Sequence, residues 1–303
     1  MIVYRELSSL CHDLGYSARA LYSLSNTATE HYHDVKLPKA NGEFRLLHVP
    51  DKYMKSVQRS IARNLLAYED ISSYALAYRP GGSTKNNAKP HVGASVVMKL
   101  DIRKFFDHIT YPMIKEKVFP SYKYSESNRI LLSVLCVYSH TVPQGAPTSP
   151  VISNIILREF DDRVGNWCDN RKIVYTRYCD DLTFSGEFDP TVLKRFVQSE
   201  LKKEGFFLNS KKTVVLRDGT RKEITGIVVN ETLAIPSEYK KKLRQEIFFS
   251  KKYGIEDHLK HTGTKYTADQ YRKKILGRIN YVLSVENNNK EMKAYKEWLL
   301  KFK

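Results

Sequence analysis

Apolar and polar positions recur with different periods along the chain, and the period changes in a definite order. Near the N-terminus the pattern predicts two short helices, about 3–14 and 17–24. Two alternating runs follow, EHYHDVKL and EFRLLHVP, joined through Lys39-Ala-Asn-Gly42, and Asn41-Gly42 marks them as the arms of a hairpin. Over 51–69, Asp51 is expected as an N-cap, with Met54, Val57, Ile61, Leu65 and Leu66 at helical spacing. Residues 95–101 (SVVMKLD) read as a buried strand, and 125–140 and 150–169 as helices. Two strands, 172–178 and 182–185, meet at Cys179-Asp180-Asp181. A helix over 190–204 precedes a hairpin that pairs 213–217 with 222–229 around Asp218-Gly219. After Pro236 the period becomes purely helical. Ser237 caps a basic helix, and 267–285 carries Tyr271, Ile275, Ile279, Val282 and Leu283 on one stripe. A mixed α+β body therefore gives way to an all-α tail, with the change near 232–236.

Composition narrows the class. Of 303 residues, 42% are hydrophobic and 27% charged, which suits packed domains, two or three at this length. The longest apolar stretch, 130–138, is interrupted by Ser133 and falls far short of the roughly 20 residues a bilayer span needs. The first residues carry Glu6 and Asp13 and no apolar signal core, so a cytoplasmic protein without a membrane partner is expected. Cys11, Cys136, Cys168 and Cys179 form no CxxC pair, against a disulfide framework or zinc ribbon. Fifty Lys and Arg against 33 Asp and Glu leave a net +17, which makes a polyanion the expected partner. Between 239 and 278, twelve Lys/Arg stand against four acids, interleaved with Tyr239, Phe248, Phe249, Tyr253, Tyr266 and Tyr271. Cations for phosphates and flat rings for bases or sugars make a nucleic-acid composition.

The acids carry the chemistry. Asp101 ends an apolar strand, and Asp180 and Asp181 lie between KIVYTRY and LTFS. Carboxylates are costly to bury beside β-branched residues unless a cation compensates. If the strand ending at Asp101 lies beside the 172–185 hairpin, the acids share one edge. Two or three carboxylates with no neighbouring base then read as a magnesium site, and a pair of such ions, roughly 3.5–4 Å apart, would serve phosphoryl transfer. An Asp pair is also ordinary turn chemistry, which stays the bland alternative. Between the acids, TVPQGAPTSPVISN places Gly145 for close backbone approach and Pro150 in the first turn of a helix. His31, His33 and His48 read as ordinary hairpin residues, and Asp161-Asp162 as a solvated helix face.

In order, KLDIRKFF (99–106), VPQGAPTSP (142–150) and YCDD (178–181) resemble the reverse transcriptases. The likeness continues into GFFLNSKKT (205–213) and NGEFRLLHVP (41–50), and spans about 36–285. More narrowly the chain resembles the bacterial retron enzymes, through Asn87-Ala88-Lys89-Pro90-His91 and through Ile224-Thr225-Gly226, where the family more often has Val-Thr-Gly. Cys179 occupies the variable second slot of the Tyr-Ala-Asp-Asp motif and reads as a spacer, since two carboxylates beside a thiol disfavour its thiolate.

The resemblance implies an α+β right-hand polymerase: N-terminal helices and fingers in 1–98, a palm in 99–235 with a fingers helical insertion about 112–142, and a helical thumb and tail in 236–303. It implies that Asp101, Asp180 and Asp181 are catalytic and hold two Mg2+ ions, with Mn2+ able to substitute. Arg45, Phe106, Gln144 and Lys211 or Lys212, with Lys39 as a further cation, would contact the nucleotide, Phe106 as a gate against a ribose 2′-OH. RNA contacts are implied for Asn87, His91, Thr225 and Gly226. The basic composition adds Lys240, Lys241, Arg244, Lys251, Lys252, Arg272, Lys273 and Arg278. The implied activity is RNA-directed DNA polymerisation from dNTPs. The enzyme would copy part of its own structured non-coding RNA into branched, RNA-linked single-stranded DNA (msDNA), within an anti-phage system that includes a separate effector protein. A group II intron-like or other stand-alone bacterial reverse transcriptase is the near alternative, although the 67 residues after Pro236 suffice only for a thumb. A non-catalytic RNA-binding scaffold of the same fold is the more distant one.

Overall fold

A computed structural model describes residues 3–38 and 42–301. Lys39 and Asn41 lie outside the described residues. In chain order the helices are α1 (Leu7–Leu14), α2 (Ala18–Asn26), α3 (Lys52–Ser60), α4 (Thr84–Ala88), α5 (Tyr111–Met113), α6 (Glu126–Leu135), α7 (Ser149–Ile156), α8 (Arg158–Asp169), α9 (Pro190–Lys203), α10 (Ser237–Tyr253), α11 (Ile255–His261), α12 (Ala268–Val285) and α13 (Lys290–Lys301). The strands are β1 (Tyr32–Pro38), β2 (Phe44–Pro50), β3 (Val96–Asp101), β4 (Val174–Tyr178), β5 (Asp181–Gly186), β6 (Val214–Leu216), β7 (Glu223–Ile224) and β8 (Ile227–Val228).

The chain divides into two compact units, Met1–Gly82 with Met98–Val215 and Ser83–Val97 with Leu216–Lys303. A short segment around α4 thus groups with the residues from Leu216 onward.

In the first unit, β1 and β2 form the expected hairpin, in antiparallel register from Tyr32↔Pro50 to Pro38↔Phe44. Asp51 caps α3 by accepting from Met54 N at 2.8 Å, and Met54 and Val57 are buried behind it. The sheet that carries the acids has the order β4-β5-β3-β6. Its two central strands are buried on both faces: Met98, Leu100 and Asp101 in β3, and Leu182, Thr183, Phe184 and Ser185 in β5. The expected single helix over 150–169 is two, α7 and α8, broken at Leu157. Gly165 on α8 is required by packing, since an added Cβ would lie 2.0 Å from the Tyr74 ring. The expected hairpin of 213–217 with 222–229 does not form. Instead β6 joins the sheet beside β3, and 222–229 folds back on itself as β7 and β8.

In the second unit, α4 and the β7–β8 turn accompany four helices. Ile247, Ile275, Ile279 and Val282 are among the buried residues of their core. Thr267 and Gln270 form a reciprocal capping box at the start of α12. Ser237 is the first residue of α10 rather than its cap, which is Pro236. No helix among the described residues is long and apolar enough to cross a membrane.

Candidate active site

β4 and β5 pair in register from Val174↔Ser185 to Tyr178↔Asp181, so Cys179-Asp180 is a two-residue turn and Asp181 opens β5. Cys179 takes the left-handed conformation, φ 63°. The carbonyl of Asp180 accepts from Ile102 N at 2.9 Å, which places Asp101, the last residue of β3, one position from that contact. Next to them, the carbonyl of Asp101 accepts from Asn209 N at 2.8 Å. The three acids therefore share one sheet edge, as the sequence led one to expect.

Their surroundings differ. Asp101 is 6% exposed, and its carboxylate accepts from Asn209 Nδ2 at 3.0 Å and from Lys212 Nζ at 2.6 Å. That bond, first, and the charges of Asp101, Asp180 and Asp181 hold the Lys212 ammonium above its usual range. Asp181 is exposed at the tip, yet its pKa is pushed up to about 6. Partial desolvation by the protein around it acts first, then the charges of Asp180 and Asp101, with Lys99 and Lys212 pulling the other way. Among the described residues no group of three or more His, Cys, Asp or Glu side chains is placed so that it could hold a metal ion. Asp101 is instead engaged by an ammonium. The donor set nevertheless suits a hard divalent ion: oxygen ligands only, and more negative charge than the neighbouring cations offset.

The thiol of Cys179 accepts from Tyr78 OH at 3.3 Å, and burial, followed by the charge of Asp180, pushes its pKa up to about 12. It is a neutral thiol, as a spacer would be.

The nucleotide-side candidates occupy definite places. Arg45 is exposed on β2 opposite Leu37. Phe106 is half-buried, its ring 5.2 Å from that of the buried Phe105. Gln144 is half-buried beside Gly145, where φ is 116° and an added Cβ would lie 3.4 Å from Val49 and 3.6 Å from the carbonyl of His48. The Gln144 loop and the Arg45 hairpin are thereby in contact. Lys211 and Lys212 share the turn Ser210–Lys212; Lys212 reaches Asp101, while Lys211 is exposed.

The candidates for RNA contact fall into two groups. Asn87 and His91 are buried, 0% exposed each. Asn87 Nδ2 donates to Thr225 Oγ1 at 3.5 Å, and Thr225 donates to the carbonyl of Thr84 at 3.2 Å. Thr225 and Gly226 both have positive φ, 46° and 81°. The two short motifs thus meet as a lock between α4 and the β7–β8 turn, with Thr225 half-buried and Gly226 exposed. The cations of the helical region are largely engaged within it: Lys240 with Glu286, Arg244 with Glu291, Lys273 with Asp269, Arg278 with Glu246, and Arg272 with the carbonyl of Leu299. Lys251 lies over Tyr295 and Trp298, and Lys252 over Tyr253, while Lys241 is exposed.

Asp161 corrects an expectation. Rather than lying on a solvated face it is 0% exposed, gripped by Arg177 and by Tyr175 OH at 2.8 Å, and Asp162 accepts from Ser72 at 2.6 Å. The pattern held a usable sign. Asp161 follows Phe160 and precedes Val164 by three residues, on the stripe of α8 that faces inward. Its partner Arg177 sits inside an apolar strand, where a cation requires an acid.

Residues 37–268 match the family described as reverse transcriptase (RNA-dependent DNA polymerase). The chain belongs to that family, whose right-hand polymerase fold its α+β architecture represents. It is 34% identical over 267 residues to the retron Mx65 reverse transcriptase of Myxococcus xanthus, covering 80% of this chain and 62% of that protein. To the retron Ec86 reverse transcriptase of Escherichia coli it is 33% identical over 248 residues, covering 78% of this chain and 76% of the relative. Within the family it therefore stands with the bacterial retron enzymes.

Proposed function

We propose that this protein is an RNA-directed DNA polymerase of the retron type. It copies part of its system's structured non-coding RNA into single-stranded DNA that stays joined to the RNA through a 2′–5′ branch. What carries the reading is the gathering of Asp101, Asp180 and Asp181 at one sheet edge beside Lys212, in a chain of this family.

In this reading residues 1–98, 99–235 and 236–303 serve as fingers, palm and thumb. Asp101 and Asp180 hold two Mg2+ ions, or Mn2+ in their place, and Asp181 supplies the third carboxylate. When bound, such ions supply Lewis acidity to the attacking hydroxyl and the departing pyrophosphate. The protein's own share is positioning and charge. Arg45 meets the incoming triphosphate, and Phe106 fills the space a 2′-OH would require. Gln144 packs against the sugar on a loop braced by Val49. Lys212 and its neighbour Lys211 answer the phosphates. The exposed cations of the helical region grip phosphates of the RNA and its DNA copy without reading bases. Asn87, His91, Thr225 and Gly226 act on RNA recognition by shaping the α4 segment and the turn packed on it. A separate effector protein completes a system acting against phage.

Sequencing the nucleic acid that copurifies with the protein tests this. A covalently branched RNA–DNA species is expected; RNA without attached DNA, or no nucleic acid, would contradict it.

A further inference from the structure

Arg177 and Asp161 are both fully buried beneath the turn that carries Asp180. The acid holds one edge of the guanidinium: Nε lies 2.9 and 3.0 Å from the two carboxylate oxygens, and Nη2 lies 2.6 Å from Oδ2. Tyr175 OH donates to the same carboxylate. A planar fork gripped in this way cannot rotate, and its remaining edge is aimed: Nη1 donates to the carbonyl of Cys179 at 3.1 Å. The backbone of Arg177 is fixed as well, through Tyr74 O and Leu76 N, each at 2.8 Å.

That single carbonyl matters because of where it lies. It belongs to the peptide unit before Asp180, and the carbonyl after Asp180 accepts from Ile102 N. Both peptide planes flanking Asp180 are therefore tied, one by Arg177 and one by β3. The residue between Arg177's strand and Asp180, Cys179, is in a left-handed conformation that a side chain disfavours, so the turn would relax if one tie were lost. Burial alone would favour loss of the Arg177 proton, but the charge and hydrogen bonds of Asp161 keep the guanidinium protonated.

We infer that Arg177, oriented by Asp161, is a positioning residue that sets the direction of the Asp180 carboxylate through the Cys179 carbonyl. This rests on the polymerase reading for its consequence in synthesis, and on geometry alone for its consequence in cation binding.

Two variants separate positioning from mere filling of the core. Arg177→Lys keeps a cation beside Asp161, but an ammonium lacks the second edge that reaches Cys179. Arg177→Met with Asp161→Leu removes both charges, a replacement that buried pairs often tolerate in stability. Each would be assayed for thermal unfolding, for Mn2+ affinity by electron paramagnetic resonance, and for kcat and dNTP KM in primer extension with Mg2+. Whichever variant folds with a Tm near that of the native protein decides the matter. The expectation is a loss of roughly 10–100-fold in Mn2+ affinity or in kcat, with dNTP KM changed little. A folded variant with native Mn2+ affinity and native kcat would overturn the inference. So would recovery of both by the double variant after their loss in Arg177→Lys, because the pair would then act only on packing. If the unaltered protein makes no DNA, the polymerase reading fails, and the Mn2+ comparison still tests the positioning role.

Discussion

Asp101 and Asp181 stand at the same edge but are balanced differently. Asp101 has Lys212 and Asn209 on its oxygens, whereas Asp181 is held up to about pKa 6 by desolvation and its acidic neighbours. A carboxyl that is more basic folded than unfolded binds a proton on folding, so stability falls as pH rises from about 4 to 6 and stays lower above. Asp181→Asn removes that penalty. In EDTA at neutral pH its Tm is expected to equal or exceed that of the native chain, read by circular dichroism; a clear drop would show that the acid is stabilising. Asp161 is the opposite case. Asp161→Leu alone leaves Arg177 buried without its acid and should cost roughly 3–5 kcal/mol in urea unfolding, while a loss under about 1 kcal/mol would mean that Arg177 finds another partner. The gate is tested by Phe106→Ala, which should let ribonucleotides be incorporated in single-nucleotide extension; unchanged sugar selectivity would remove that role. The three site acids were legible because each interrupts an apolar strand at its end. Asp161 was not, because an Asp-Asp pair on a helix is ordinarily solvated, and only its placement on the inward stripe gave it away.

At the scale of elements, strands and helices with strong local signals formed where the pattern put them, as with the β1–β2 hairpin, the β4–β5 pair and α12. The failures came where a distant partner competed. Asp218-Gly219 is a real turn signal, and Gly219 does have φ 79°. Even so, β6 pairs with β3, which lies far earlier in the chain, and no short-range pattern encodes that choice. The lock between α4 and the β7–β8 turn was visible as two motifs but not as a contact. His91, in the first of those motifs, carries a pH dependence. Burial lowers the pKa of His91 to about 4, so the unfolded chain binds the proton more readily between about 6.5 and 4. The stability that the neutral, buried ring contributes is complete above pH 6.5 and is lost as pH falls toward 4, by at most on the order of 3 kcal/mol. Urea unfolding at about pH 7 and about pH 4.5 should show this loss reduced in His91→Gln; an equal loss in both chains would assign it to other groups.

For the whole molecule, the count of 50 Lys and Arg overstates the cations open to a polyanion. Lys240 and Arg278 are largely covered and paired with Glu286 and Glu246, whereas Lys241 and Lys242 are exposed on α10. Replacing Lys241 and Lys242 by Ala should flatten the dependence of RNA affinity on log salt by up to about one per residue, whereas Lys240→Ala should chiefly lower Tm. Equal salt slopes in all three proteins would contradict that division. The central claim is that three acids from separate segments drive DNA synthesis together. Its most direct test is primer extension on an RNA template with dNTPs and Mg2+, comparing the native chain with Asp180→Asn plus Asp181→Asn. Synthesis by the native protein and none above background by the folded double variant is the predicted result; undiminished extension by the variant would contradict the account.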